Sequence, residues 1–87
     1  AEWGLIWKCV EDDALDAEVD ALAGRLAALP PLGLAAIKTI IRTSGERTLD
    51  EELDLQRDEM RRLGFTEDYR EGVAAFLEKR PAVYRGR

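Results

Sequence analysis

The 87-residue sequence contains no histidine and only one cysteine, Cys9. Without histidine, an imidazole base and histidine metal ligands are excluded within the chain. One cysteine cannot form an internal disulfide or a multi-cysteine zinc site, and the charge-rich, acidic composition is typical of a reducing cytoplasm. We therefore expect a cytoplasmic protein without a metal site.

Long apolar segments are also missing from the sequence. The longest run without a charged residue, Leu26 to Ile37, has 12 residues and contains Pro30 and Pro31. A membrane-spanning helix needs about 20 predominantly apolar residues. We therefore expect no membrane span and no membrane partner.

The net charge is −5, from 18 acidic and 13 basic residues, so a basic surface of the kind that binds nucleic acid is not expected. The charges are partly separated along the chain. Residues 11–20 carry six acids and no base, whereas residues 79–87 carry four bases and no acid. The C-terminal segment is therefore the one candidate anion site, and we expect no nucleic-acid partner.

The N-terminal segment Gly4 to Val10, GLIWKCV, is predicted to form a short strand because it is rich in β-branched and aromatic residues. A single strand cannot satisfy its own backbone hydrogen-bonding groups. Trp7 lies within this segment and Trp3 directly before it, and the two tryptophans would form a large exposed apolar patch if nothing covered them. The predicted strand therefore needs a sheet that this sequence does not contain.

Everything after the strand is predicted to be helical, in three or four amphipathic helices. Asp12 or Asp13 can cap a first helix that runs to about Leu29, where two prolines stop it. The second helix is predicted from about Leu32 to Thr43. Apolar residues spaced three or four apart give the first helix one apolar stripe, formed by Leu15, Val19, Leu22, Leu26 and Leu29.

The third and fourth helices carry clearer start signals. Thr48 and Glu51 match the capping box, so the third helix begins near Leu49, and it ends at Gly64. Thr66 can cap a fourth helix, which is predicted from Glu67 to about Arg80 and ends before Pro81. The apolar stripes of these two helices are expected to be buried, and they comprise Leu49, Leu53, Met60 and Leu63, then Tyr69, Val73, Phe76 and Leu77. The fold class is mainly α, with an irregular C-terminal tail.

No side chain is a convincing catalytic group from its sequence context alone. Strand alternation places Lys8 on the face opposite Cys9, so a buried structural thiol is the favoured interpretation. Ser44, the only serine, has no histidine to activate it and is expected to act at a helix end. Carboxylate pairs such as Glu51/Glu52 and Asp58/Glu59 alternate with arginines and are interpreted as a solvated helix face.

Phe76 and Lys79 lie three residues apart on one predicted helix face. An aromatic surface and an ammonium at this spacing can contact one ligand that has a flat ring and a phosphate. The alternative is structural: Phe76 belongs to the core and Lys79 opposes the dipole at the end of the helix. The residues alone favour the structural alternative.

Several segments, taken in order, resemble the C-terminal third of the crotonase (enoyl-CoA hydratase/isomerase) superfamily. The resemblance spans nearly the whole chain, and its most specific part is the last motif. The segments are WGLIWKCV, EDDAL, RLAALPPLGLAAIK, TLDEELDLQRDEMRRLG, TEDYREGVAAFLEKR and the closing Tyr84-x-Gly86-Arg87.

The resemblance implies an acyl-CoA hydratase or isomerase that takes a coenzyme A thioester as substrate and needs no cofactor. Residues 1–11 would be the end strand of a β/β/α core that is absent from this chain, and residues 12–87 would be a C-terminal helical lobe that caps the active site and forms a homo-oligomer, a trimer or a dimer of trimers. The family's oxyanion-hole amides and acidic residues lie upstream. No residue of this chain is therefore expected to be catalytic.

The resemblance also assigns a binding role to the pair discounted above. Phe76 and Lys79 match the aromatic residue and the lysine of the family's last motif, which lie near the adenine and the phosphates of CoA, including the CoA of a neighbouring subunit. One departure from the family pattern concerns the tail, because Pro81 follows Arg80 directly and Tyr84 replaces the usual phenylalanine. The first residue is Ala1, so we expect a C-terminal piece of a longer subunit that is inactive alone.

Two other interpretations stay open at this point. The first is a stand-alone helical module for protein interaction and oligomerisation, which should not need the segment GLIWKCV. The second is a small helical DNA-binding domain, which the net acidity disfavours.

Overall fold

The computed structural model describes all 87 residues and contains four α-helices joined by short turns. No strand is present, and the chain is mainly α, as the sequence predicts. The helices are α1 (Leu15–Ala27), α2 (Pro31–Thr43), α3 (Leu49–Leu63) and α4 (Glu67–Glu78), with 3-10 turns at Asp12–Ala14 and Ser44–Glu46.

The predicted N-terminal strand is wrong, because residues 1–10 form turns, bends and irregular backbone. The Gly4 N–H donates a hydrogen bond of 2.9 Å to the Ala1 carbonyl, and Gly4 adopts a φ of 75°. Trp3 is 89% exposed, and Trp7 is also exposed. The physical reason is that a strand needs a neighbouring strand for its amides and carbonyls, and no other segment of these 87 residues supplies one.

The predicted start of the first helix is also wrong in detail. Neither Asp12 nor Asp13 caps α1; the N-cap is Ala14, which makes no side-chain hydrogen bond, and the two aspartates belong to the preceding 3-10 turn. Pro31, which was expected to lie in a helix stop, is the first residue of α2. Proline is well suited to this position because its missing N–H would have no helical partner there.

The capping box at the start of α3 is confirmed. The Thr48 hydroxyl accepts a hydrogen bond of 3.3 Å from the Glu51 N–H, and the Glu51 carboxylate accepts one of 2.8 Å from the Thr48 N–H. The bond from the Thr48 backbone is the main reason that the pKa of Glu51 is lowered. The helix ends before Gly64, as predicted.

The turn between α2 and α3 is held by Arg47, and these two helices pack against each other. The Arg47 guanidinium donates to the Ile40 carbonyl at 3.2 Å and to the Thr43 hydroxyl at 2.5 Å, both at the end of α2. It also donates to the Glu52 carboxylate in the first turn of α3, at 2.8 Å. One side chain therefore joins the end of one helix to the start of the next.

The helices have almost no buried core of their own. Only Ala36, Ala75 and Asp68 are buried, and the predicted burial of the α3 and α4 stripes is wrong, since Met60 is 75% exposed and Phe76 is 82% exposed. The accessible surface is 7567 Å², whereas a globular protein of 9.8 kDa exposes about 5,200 Å². The radius of gyration is 16.3 Å, against about 12 Å for a compact chain of this length. The apolar faces are open to another surface.

None of the helices has, by itself, the length and apolar character needed to cross a membrane. The segments Asp12–Ala27 and Pro31–Glu46 reach that length and composition only when taken together, and they are bent by 107° at the break between them.

We expect Thr48→Ala to lower the free energy of unfolding of the full-length protein by about 1 kcal/mol, because an orphan amide at the start of α3 loses its acceptor. Denaturant unfolding monitored by circular dichroism measures this. The matched control is Thr39→Ala, which removes a hydroxyl that only bonds back to the Ala35 carbonyl within α2. An equal loss of stability in both variants would contradict the capping role of Thr48.

Candidate functional site

An apolar groove runs between the start of α2, the end of α3 and one face of α4. Its volume is about 410 Å³, which lies within the range of about 300–1,000 Å³ that is usual for small-molecule sites. The lining residues are Pro30, Leu32, Gly33, Leu63, Thr66, Asp68, Tyr69, Gly72, Val73, Phe76, Leu77 and Tyr84. Most of this lining is apolar, and the few polar side-chain groups come from Thr66, Asp68, Tyr69 and Tyr84.

The two residues singled out as a CoA site lie at different parts of this region. Phe76 lines the groove and its ring is exposed. Lys79 is not a lining residue; it follows the last residue of α4 and forms none of the ion pairs in the chain. The ring of Phe76 therefore lies in the groove. The ammonium of Lys79, three residues later in the sequence, has no ion-pair partner.

Lys79 has an unusual backbone conformation, with φ 55° and ψ 42°, in the left-handed region. The prediction that α4 continues to about Arg80 is wrong for this reason: the helix ends at Glu78. The Arg80 N–H reaches the Ala75 carbonyl at 3.0 Å and the Lys79 N–H reaches the Phe76 carbonyl at 3.3 Å, which is the Schellman arrangement. Glycine is the usual residue at this position, and a lysine costs roughly 1 kcal/mol more. A lysine in this costly backbone conformation is a candidate functional residue.

The C-terminal tail, residues 79–87, has no regular secondary structure, which the sequence predicts for residues 82–87, and it is fixed to α4 by Asp68. This side chain is only 4% exposed. Its two carboxylate oxygens accept hydrogen bonds of 2.7 Å from the Arg85 N–H and of 2.7 Å from the Gly86 N–H. The Asp68 N–H donates to the Arg87 carbonyl at 2.9 Å. Asp68 is therefore a buried carboxylate that binds backbone amides of the tail.

Glu71, one turn further along α4, makes a second attachment to the tail. Its carboxylate accepts hydrogen bonds of 2.6 Å and 2.9 Å from the Arg80 guanidinium and one of 2.9 Å from the Val83 N–H. The Arg80 hydrogen bond is the largest cause that lowers the pKa of Glu71 to about 2, and the Val83 N–H adds to it. A third, exposed pair joins Arg87 to Glu67 at 2.8 Å.

Tyr84 lies between these two attachments and packs on Gly72 of α4. A Cβ atom placed on Gly72 would lie 3.2 Å from the Tyr84 hydroxyl oxygen. Only glycine therefore fits at this position unless the ring shifts. Tyr84 thereby forms a wall of the groove. Sequence reasoning missed this residue, although a glycine inside a helix is itself a signal of a close approach.

The remaining candidates carry no site. Cys9 is free and exposed rather than buried in a strand. The Ser44 hydroxyl donates to the Ile41 carbonyl at 3.0 Å, which is the helix-end role that the sequence predicts. No three or more histidine, cysteine, aspartate or glutamate side chains are grouped so that they could hold a metal ion.

Comparison with known proteins gives a consistent family. The enoyl-CoA hydratase/isomerase family matches residues 1–87. The chain is 46% identical over 86 residues to 1,2-epoxyphenylacetyl-CoA isomerase of Escherichia coli, covering 99% of this chain and 33% of that protein. It is 41% identical over 66 residues to 2,3-dehydroadipyl-CoA hydratase of the same species, covering 76% of this chain and 26% of that protein.

The fold is shared with solved structures as well. An enoyl-CoA hydratase from Polaromonas superposes with a TM-score of 0.92 at 36% identity, covering 97% of this chain and 33% of that one. The chain thus spans no more than about a third of the length of the curated relatives it matches.

The lowered pKa of Glu71 makes the tail attachment sensitive to acid. Its pKa falls from an ordinary 4.5 to about 2, so its stabilising contribution is complete above pH 4.5 and is lost as the pH falls toward 2. A carbon-13 NMR titration of the Glu71 carboxyl should show this value, and Arg80→Ala should return it toward 4.5. A Glu71 that titrates near 4.5 in the unmodified protein would contradict the attachment.

Proposed function

The chain belongs to the enoyl-CoA hydratase/isomerase family, and on that premise we propose that it forms the C-terminal helical lobe of an acyl-CoA hydratase or isomerase. In this proposal residues 12–87 are the lobe, and residues 1–11 join it to the enzyme's β/β/α core. The lobe contributes to oligomerisation and to CoA binding. It is inactive alone, because the oxyanion-hole amides and the proton-transferring acids lie outside these residues.

The observation that carries this proposal is the exposed apolar surface. The total accessible surface of the chain is about 2,400 Å² larger than that of a globular protein of its mass, and most of its large apolar side chains are exposed. That excess is about three times the area that one partner loses in a standard interface. Both the rest of the subunit and neighbouring subunits in a homo-oligomer would cover such faces, and the two tryptophans near the N-terminus would lie against the core.

We propose that Phe76 and Lys79 bind the CoA part of the substrate. The exposed ring of Phe76 in the groove offers a stacking surface for a flat base such as adenine. The unpaired ammonium of Lys79 offers a charge for phosphate. The left-handed backbone at Lys79 supports a binding role, because a glycine would fit the helix end better.

Within the family we favour the epoxyphenylacetyl-CoA isomerase of bacterial phenylacetate degradation, which rearranges the ring-1,2-epoxide to oxepin-CoA. The segments WGLIW, LGL-x-x-IK and LDLQRD support this choice, and so does the 46% identity to the Escherichia coli isomerase. The substrate is a CoA thioester, no cofactor is required, and the site of action is the cytoplasm. The acyl pocket belongs to other parts of the enzyme, so the acyl group is inferred from similarity.

A stand-alone interaction module is the alternative, and the same open helix faces favour it. Such a module would use these faces to associate with partners and would bind no small molecule. The apolar N-terminal segment argues against it, because Trp3 and Trp7 would stay exposed as an apolar patch on a self-sufficient helical module.

The proposed activity is tested by assaying the full-length protein with ring-1,2-epoxyphenylacetyl-CoA and with a straight-chain enoyl-CoA. We expect turnover by the full-length protein, fastest with the epoxide, and none by the 87 residues alone. Faster turnover of the enoyl-CoA would overturn the isomerase assignment, and activity of the 87 residues alone would overturn the role as an inactive lobe.

Lys79→Gly in the full-length enzyme separates binding from folding. We expect KM for the CoA thioester to rise about threefold to tenfold, because the phosphate loses a cation, while kcat stays unchanged. The same change should leave thermal stability equal or higher, since glycine accepts the left-handed backbone. Lys38→Ala, an exposed lysine in α2, is the matched charge control. An unchanged KM in Lys79→Gly would remove Lys79 from the CoA site.

A further inference from the structure

We propose that Asp68 is a positioning residue for the ligand groove: by binding the backbone of the C-terminal tail, it holds Tyr84 as the wall against which the bound CoA thioester rests. The ligand part of this proposal rests on the proposed function. The attachment of the tail by Asp68 can be tested separately from it.

Asp68 binds the tail through two short hydrogen bonds to an ionised carboxylate. A carboxylate that is 4% exposed takes two hydrogen bonds of 2.7 Å from consecutive backbone amides, those of Arg85 and Gly86. Hydrogen bonds to an ionised acceptor are roughly twice as strong as neutral ones. A buried carboxylate without these donors would be costly, so the tail and Asp68 stabilise each other.

The position of Tyr84 follows from attachments on both sides of it. Val83 is held through its N–H by Glu71, and Arg85 is held through its N–H by Asp68. A residue between two fixed neighbours has little freedom in its own backbone. The ring is therefore directed onto Gly72, where the absence of a side chain leaves room for it.

Tyr84 acts on the groove through its ring. The side chain is half-buried and shares the groove lining with Phe76, so the two aromatic residues belong to one apolar surface. The ring gives apolar parts of the thioester a fixed wall. If Asp68 loses its charge, residues 85–87 lose their main attachment and Tyr84 keeps only the one through Val83. No reacting group is involved, so the effect should fall on binding and not on the chemical step.

The test is a double-mutant cycle in the full-length enzyme with Asp68→Asn, Tyr84→Ala and the combined variant. Asparagine keeps the size of the side chain but has only one acceptor oxygen for the two amides. We expect each single change to raise KM for the CoA thioester about threefold to thirtyfold, with kcat within about twofold. The combined variant should be no worse than Tyr84→Ala alone, because Asp68 acts through Tyr84. Additive effects, or a loss confined to kcat, would overturn the proposal.

The matched control is Glu67→Gln, which removes the exposed pair with Arg87 without touching an amide of the tail and should leave KM unchanged. If Asp68→Asn fails to fold, Gly72→Ala displaces the ring while leaving the carboxylate in place. It should raise KM in the presence of Tyr84 and have no effect in Tyr84→Ala. A rise in KM that persists without Tyr84 would contradict the role of the ring.

Hydrogen exchange of the tail in the absence of ligand tests the attachment by Asp68 separately from the role of Tyr84 in ligand binding. Asp68→Asn should lower protection at the amides of residues 85 and 86, because the single acceptor oxygen of asparagine cannot serve both donors fully. Unchanged protection at both amides would overturn the attachment while leaving the proposed function untouched. Lowered protection with an unchanged KM would overturn the role of Tyr84 as a wall for the ligand. Failure of the unmodified enzyme to bind any CoA thioester would overturn the proposed function and the ligand role together, whereas the exchange result would still establish the attachment.

Discussion

Amphipathic helices are stable in water only where their apolar faces are covered, and this constraint shapes every feature of the chain. Here three residues are buried, two of them alanines, and no large side chain lies in a core. The helices therefore expose their apolar stripes, and polar contacts such as those of Arg47 join α2 to α3. Such an arrangement is suited to one lobe of a larger assembly, in which neighbouring surfaces complete the packing.

Three sets of polar contacts fix most of the local structure. The capping box of Thr48 starts α3, and Arg47 joins α2 to α3 through hydrogen bonds to both helices. Asp68 then fixes the tail to α4. Each set supplies hydrogen-bond partners to backbone groups that would otherwise have none. These groups lie at a helix start, at a helix end and along an irregular segment. The last set also shapes the groove, because it fixes a tyrosine that no regular secondary structure would hold.

The sequence predicts those features whose partners are close in the chain. Thr48 and Glu51 are three residues apart, and Gly64 directly follows the end of α3, so spacing alone is enough to predict them. The Asp68 attachment joins residues 17 and 18 positions apart through backbone amides, which leave no trace in the pattern of side chains. The N-terminal segment was predicted as a strand because composition indicates apolar faces and not the partners that cover them. Lys79 was predicted inside a helix because a left-handed lysine is uncommon.

The dependence of the helices on an outside surface is tested most directly by urea unfolding of the isolated 87 residues, followed by circular dichroism and tryptophan fluorescence. We expect a gradual, non-cooperative loss of helix, with the tryptophans in water at every urea concentration. A single cooperative transition of a monomer, with both probes coinciding and an m value of about 1 kcal/mol/M or more, would contradict it.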